Sequence, residues 1–412
     1  MQMTSIITVP FSPPFIDIEV KEEVISTLES GWITTGPKVK ALEKEIALYC
    51  NAEIALAVSS ATAGMQLLLH WLGIKKGDEV IVPAYTYCAT AFAAMHAGAT
   101  IKMVDVQEDF TININAIESA ITTKTKAIML VDFAGWPCDY DAVYTLLQKK
   151  AVQDMYTAET EVQQKLGRIF ILADAAHSLG AIYKNKRTGT VADATVFSFH
   201  AVKNITTAEG GMTCLNMPPP FNNEELYKTL RLWTLNGQTK DAFSKSTAGG
   251  WRYDVIYPGF KMNLPDVLAA IGLAQFKKYK KVLAQRRRIC NTYDIAFQKY
   301  EWAICPPFHK QDCESSYHLY PLRINGANEQ QRDEIIECIT EEGVSVNVHF
   351  MPMPMLTVFK TQGFEIADYP MSYALYANEI SLPVYPQLNQ EVCEYIIQVV
   401  IAAVNKVLYE KR

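Results

Sequence analysis

The sequence predicts an α/β protein: a mainly parallel sheet sandwiched by helices, continued by a smaller α+β C-terminal domain. Three observations predict it. Short β-rich runs alternate with stretches of helical spacing through the first two thirds of the chain. Two windows, 54–74 and 80–101, contain no Asp, Glu, Lys or Arg, and each opens as a strand, breaks at small or turn-forming residues and continues as a helix. The length of 412 residues exceeds what one hydrophobic core usually organises.

In chain order, the strand candidates are 54–58, 80–82, 101–104, 127–131, 168–173, 194–199 and 212–215, with helical spacing at 61–72 and 88–97. Such alternation builds a sheet covered on both faces, which presents its ligands at the carboxyl ends of the strands. Segment 148–165 is polar and helix-prone, a surface excursion, and Pro218-Pro-Pro220 marks a surface turn. One long helix is expected over 264–288, rich in Lys and Arg after Gln275. After it come strands at 316–324, 344–350 and 380–383, with helices at 329–342 and near 390–409. This pattern divides the chain into a large domain, 1–275, and a small one, 276–412, entered through the long helix. There is no internal repeat and no low-complexity tract.

Composition narrows the function. With 49% apolar and 20% charged residues the chain reads as a soluble globular protein. A net charge of −6 speaks against nucleic-acid binding by phosphate neutralisation. Both uncharged windows are long enough to span a bilayer, but Ser59, Thr62, Gln66 and His70 in one, and Pro83, Thr86 and Gly98 in the other, favour buried strands and helices. No basic segment leads into an apolar run at the start, and Pro10, Pro13 and Pro14 interrupt any helix there, so no signal peptide is expected. Nine cysteines lie scattered without a CxxC pair or metal-like spacing, which points to reduced thiols in a cytoplasmic protein and to no metal site.

The chemistry concentrates at two strand ends. Asp174 follows the apolar run in Ile169-Phe-Ile-Leu-Ala-Asp-Ala-Ala-His177, and Ser198, His200 and Lys203 follow the run that begins at Val196. A lysine at a desolvated strand end can lose its proton and attack a carbonyl. A buried carboxylate nearby can hold a cationic ring nitrogen, as a pyridoxal cofactor requires. In Val58-Ser-Ser-Ala-Thr62 a strand ends and a helix begins, so free N–H groups and the helix dipole favour an anion there, with Ser60 and Thr62 as further donors. Alone, Ser and Thr at a helix start are ordinary N-caps; the conjunction with Asp174 and Lys203 is what makes a site.

In these residues the chain resembles the DegT/StrS-type sugar aminotransferases, pyridoxal-phosphate enzymes of fold type I. The resemblance runs through Gly31-Trp-Ile-Thr-Thr-Gly-Pro37, Ser59-Ser-Ala-Thr62, Pro83-Ala-Tyr-Thr-Tyr87, Asp174-Ala-Ala-His177, Ser198-Phe-His-Ala-Val-Lys203, Glu209-Gly-Gly211, the stretch from Pro258 to Asp266, and Ser381-Leu-Pro-Val-Tyr-Pro386. By His200-Ala-Val-Lys-Asn-Ile205 and Gly259-Phe-Lys-Met-Asn263 it looks nearest to the transaminases acting at C4 of UDP-4-keto sugars. The resemblance implies that Lys203 attaches pyridoxal 5′-phosphate and then shuttles a proton at the substrate carbon. It implies that Asp174 binds the pyridinium nitrogen, that Tyr87 stacks on the ring, and that His177, where many members have Gln, sits at the cofactor's hydroxyl side. Ala61, Thr62 and Ser198 would hold the phosphate. Asn263 would reach the phosphate of a neighbouring subunit, making the enzyme a homodimer with active sites at the interface. Its substrates would be a nucleotide-linked keto sugar and L-glutamate as amino donor, with no nucleic-acid or membrane partner.

The chain departs from the family pattern at four places. Ala61 stands for the usual Gly before the phosphate Thr, a small change at ordinary dihedrals and a disruptive one at positive φ. Ala173 replaces an acidic residue, Pro354 stands where a His is common, and Phe133-Ala-Gly-Trp-Pro137 replaces a His-containing version; the last two bear on the sugar. A related fold, the PMP-dependent sugar dehydratases, carries His in the slot of Lys203. A non-catalytic regulatory relative is the other alternative, and the presence of Lys203 and Asp174 argues against it.

Other features read as structural. Gly31-x4-Gly36-Pro-Lys38 approaches a phosphate-binding loop, but Pro37 displaces the lysine and no strand precedes it. The basic run from Lys277 to Arg288 reads as a solvated helix face. His70, His96, His309 and His318 are expected to be structural. His349 falls where the family contacts substrate, and His200 lies among site residues without an assigned role.

Overall fold

Strand and helix follow one another from Ile54 onward as the apolar runs require. The computed structural model describes residues 8–239 and 252–410. Its central sheet has seven strands: β1 (Ile54–Val58), β2 (Glu79–Pro83), β3 (Thr100–Val104), β4 (Thr125–Val131), β5 (Phe170–Asp174), β6 (Ala194–Ser198) and β7 (Gly211–Leu215). Their order is β1-β7-β6-β5-β4-β2-β3, and β7 runs antiparallel to both its neighbours while the other pairs are parallel.

Both faces of this sheet are covered, which explains the uncharged windows. Val80 and Val82 of β2 pack with Leu67 and Leu68 on one side, whereas Ile81 packs with Ile128 and Leu130 on the other. A strand buried on both sides has no polar face, so its sequence is a continuous apolar run. The helix Ala61–Leu72 starts where the Ser60 hydroxyl accepts from Ala63 N–H and stops at Gly73, which takes the left-handed conformation. No helix among the described residues is long and apolar enough to cross a membrane.

A second core gathers Ile289, Tyr293 and Phe297, Tyr320, Leu322 and Ile324, and Ile396, Val400 and Val404, and Val9 from the start of the described chain joins it. It lies against a small antiparallel sheet of β8 (Ala303–Ile304), β9 (Tyr320–Ile324) and β10 (Glu379–Leu382). Helices Ile18–Glu29, Pro37–Cys50, Tyr140–Leu147 and Asn223–Trp233 add to those expected from the sequence.

Three expectations are corrected. The long helix of 264–288 is two helices, Asp266–Phe276 and Tyr279–Phe297. The break at Lys277 and Lys278 lets Lys278 pair with Asp17 and Glu19 while Lys277 reaches Glu23. The basic run is therefore not a solvated face throughout: Arg286 is buried and donates to the carbonyls of His318 and Val384. Residues 344–350 form no strand of a sheet, only single bridges from Val344 to Val9 and from Asn347 to Ser381. That stretch carries its side chains to the site rather than completing a ladder.

Candidate active site

A cavity of about 470 Å³ opens at the carboxyl ends of β4, β5 and β6. Asp174, the last residue of β5, is 6% exposed at its wall. Its Oδ2 accepts from the Thr90 hydroxyl at 2.7 Å and its Oδ1 from Ala176 N–H at 3.2 Å. Burial pushes the Asp174 carboxyl above the usual range, while these donors and Lys203 oppose the rise. Lys203 follows β6 in a tight loop held by Lys203 N–H to the His200 carbonyl and Thr207 N–H to the Phe199 carbonyl, each 2.9 Å. Burial lowers its amine to about 8, with Asp174 pulling the other way. A buried carboxylate and a partly buried amine thus share one cavity, each with its protonation shifted by partial loss of water.

The histidine that follows Asp174 is fixed as a donor. His177 Nδ1 accepts from Ala134 N–H at 3.2 Å, and the Ser316 hydroxyl donates to the His177 carbonyl. Burial, together with Lys203 and His349, drives the ring far below the ordinary imidazole range, so it is neutral and carries its proton on Nε2. Ala134 adopts φ +55° to aim that N–H. The stretch from Phe133 to Pro137, read from the sequence as a matter of substrate choice, thus also positions His177.

At the opposite end, Ala61 and Thr62 form the first turn of their helix, where N–H groups have no intrahelical acceptor. Ala61 is absent from the residues with positive φ, so its departure from Gly costs nothing in backbone strain. Gly211 is needed there: a Cβ on it would sit 2.7 Å from the Ala61 nitrogen. Ser198 closes β6 at the same wall. Tyr87 lines the cavity with 61% of its surface exposed, its ring 5.9 Å from that of Phe350.

Asn263 does not line the cavity; its amide donates to Thr35 Oγ at 2.7 Å, and its backbone bridges to Val58. His318, read as structural, is a cavity residue, with its ring 4.3 Å from His177 and its Nδ1 2.8 Å from Asn204 Oδ1. His200 is exposed at the rim, 3.7 Å from the Glu209 carboxylate. The near-P-loop binds no phosphate for a clear reason: the Asp266 carboxylate accepts from the N–H groups of Gly36, Lys38 and Val39.

Two residues that shape the site escaped the sequence reading, Thr90 buried behind Asp174 and Asp132 in the cavity wall. Thr90 lies inside a helical stretch and looks like any small polar residue, and only the fold brings it to Asp174. Asp132 directly follows β4 as Asp174 closes β5, so the same strand-end logic could have found it. It accepts from Ser178 Oγ (2.6 Å), Tyr140 OH (2.8 Å) and Cys138 N–H (2.9 Å), and burial pushes it up to about 6.

The family model of the DegT/DnrJ/EryC1/StrS aminotransferases matches residues 14–401. The chain belongs to that family. Among curated relatives it is 37% identical over 397 residues to the spore coat polysaccharide biosynthesis protein SpsC of Bacillus subtilis, covering 95% of this chain and 96% of that one. Among solved structures, Spr1654 of Streptococcus pneumoniae, named a putative sugar aminotransferase, superposes in its PMP form with a TM-score of 0.94 at 43% identity, over 97% of this chain and 100% of that one. Its PLP form gives 0.93 at 42% identity over 98% and 100%. PseC of Helicobacter pylori, an aminotransferase involved in the biosynthesis of pseudoaminic acid, gives 0.83 at 28% over 97% and 100%.

As a DegT/StrS-type enzyme the protein is an aminotransferase that works with pyridoxal phosphate. Its residues fit that group: a buried carboxylate short of a cation, a neutral imidazole presenting Nε2–H, and first-turn N–H groups beside hydroxyls. When bound, the cofactor supplies an electron-withdrawing ring that stabilises negative charge at the substrate carbon. Asp174 would keep the ring nitrogen protonated, His177 would donate to its hydroxyl oxygen, and Ala61, Thr62 and Ser198 would hold the phosphate. The Lys203 amine would attach the group and move the proton.

Proposed function

We propose that this aminotransferase transfers an amino group from L-glutamate to the keto carbon of a nucleotide-linked sugar, with UDP-4-keto sugars as first candidates. The reaction would serve amino-sugar and cell-surface polysaccharide assembly in the cytoplasm. The observation that carries the reading is the Lys203 amine and the buried Asp174 carboxylate in one cavity, each with a shifted protonation. Relatives named for polysaccharide and pseudoaminic acid biosynthesis support the sugar. Tyr87, His200, Val202 and Glu209 leave an exposed rim that gives a bulky substituent room beyond the reacting carbon. Two of these, Tyr87 and Val202, are apolar and exposed, which fits a homodimer in which a second copy covers the rim and Asn263 approaches its phosphate.

In this reading Lys203 Nζ moves the proton at the substrate carbon, and closure by a second copy excludes water. The purified protein should be yellow, lose its colour with glutamate, and regain it with one member of a panel of UDP-, GDP- and dTDP-linked keto sugars. A protein that stays colourless with added pyridoxal phosphate ends the reading. Colour recovery with simple keto acids alone would end its sugar part.

A further inference from the structure

One hydrogen-bonded chain leads from the small sheet into the cavity. Glu379, the first residue of β10, is wholly buried. One of its oxygens accepts from His349 N–H at 3.0 Å and the other from the Ser381 hydroxyl. Ser381 Oγ in turn lies 2.9 Å from His349 Nδ1. His349 lines the same cavity as Lys203. Its ring is held by stacking on Phe11 at 5.4 Å and by the edge of Phe350 at 5.0 Å, and its carbonyl accepts from Tyr85 OH at 2.7 Å.

Counting protons along this chain gives two arrangements. An ionised carboxylate only accepts, so Ser381 must donate to it and its oxygen is left to accept from His349. The imidazole proton then sits on Nδ1, and a bare Nε2 is left on the other side of the ring. A protonated carboxyl reverses both bonds made by Ser381. One oxygen still accepts His349 N–H, the other donates to Ser381, Ser381 donates to Nδ1, and the imidazole proton moves to Nε2.

The geometry points to Glu379 as a positioning residue whose protonation state, relayed by Ser381, selects the tautomer of His349 and hence whether the cavity meets a hydrogen-bond acceptor or a donor there. Burial supports this by pushing Glu379 up to about 8, so that both states lie at ordinary working pH. Burial and Lys203 hold His349 at about 3, so its ring stays neutral throughout. The other polar or charged groups facing this chain are Arg332, whose Nη1 donates to the carbonyls of Tyr376 and Glu379, Arg323 opposite Glu379 on β9, Tyr85, and His177, His318 and Lys203 across the cavity. A substrate hydroxyl can donate to the bare Nε2, whereas a phosphoryl or carbonyl oxygen needs Nε2–H.

The arrangement is independent of which keto substrate the enzyme takes, so its test separates from that of the proposed function. Holoenzyme labelled with ¹⁵N-histidine reports ring tautomers by long-range ¹H–¹⁵N spectra, with His349→Gln assigning the resonance. The parent is expected to show Nε2–H at about pH 6.5 and Nδ1–H at about pH 9.5. Glu379→Gln, whose carboxamide accepts from His349 N–H and donates to Ser381, is expected to hold Nε2–H at both. Ser381→Ala breaks the relay with little change of volume and is expected to give one pattern at both pH values. A parent with the same tautomer at both, or either variant following the parent's conversion, overturns the assignment.

Discussion

The Thr90 hydroxyl donates to Asp174 Oδ2 across 2.7 Å, joining the helix Ala89–His96 to the end of β5. This bond offsets part of the burial that otherwise favours a protonated Asp174. Thr90→Val keeps the shape and removes the donor. The apoenzyme should then bind pyridoxal phosphate about tenfold more weakly, the worth of one hydrogen bond to a charged group. The acid limb of binding should move to higher pH. Absorbance titration measures both, and unchanged affinity would show that Thr90 does not support the carboxylate.

Lys203 supplies a pH dependence of definite sign. Its amine, lowered to about 8, is the nucleophile only when neutral. Capture of added cofactor by the apoenzyme should therefore speed up with rising pH and level off just above 8, where an ordinary lysine would still be accelerating. Stopped-flow absorbance reads this directly. Lys203→Ala should abolish transfer and borohydride fixation while leaving the melting temperature within a few degrees of the parent; surviving transfer would remove Lys203 from its role.

His177 is neutral with its proton on Nε2, so what it offers is a donor rather than a charge. His177→Gln retains a donor and should hold the cofactor within a few-fold of the parent. His177→Leu should weaken it about tenfold. Retention should also show no imidazole titration between about pH 5.5 and 8. A step in that range that vanishes in His177→Gln would mean that the ring is charged.

Glu379 links stability to pH in the opposite sense from a paired surface carboxylate. Its folded-state value of about 8 lies above its unfolded one, so the native state holds this proton more tightly. The stability it contributes is complete below the unfolded carboxylate range and is lost as pH rises through about 8. The stability of Glu379→Gln relative to the parent should rise by a few kcal/mol between about pH 5 and pH 9. Urea unfolding at both pH values tests this; a constant difference would show that the buried carboxyl does not titrate there.

Much of the large sheet was legible because apolar runs ending in polar residues report burial directly. The run 54–58 and the helix 61–72 match the structure residue for residue, since β1 has Ser60 as a cap after it and Gly73 as a stop further on. Asp174, Ser198, Lys203 and Thr62, expected from strand and helix ends, come together at one cavity with His177 and Tyr87, which the family resemblance implied. The break at Lys277 was hidden because its cause is remote: Asp17, Glu19 and Glu23 draw the two lysines to another helix and its cap. Arg286 was misread for a related reason. Its carbonyl partners come from loops about thirty and one hundred residues away, and no local pattern announces them.

By itself, the sequence determined where chain segments are buried on both faces and which polar residues stand at their ends, because burial and turn formation are local properties of a run. It carried the lysine, the carboxylate and the helix start in that way. Only the tertiary structure decided which groups tune them. Thr90 reaches Asp174, Ala134 N–H sets the His177 proton, and Glu379 reaches His349 through Ser381, each across a sequence separation that periodicity does not encode. Hydrogen-bond direction depends on which partner is already committed as donor or acceptor, and that is settled only when the strands and loops are brought together.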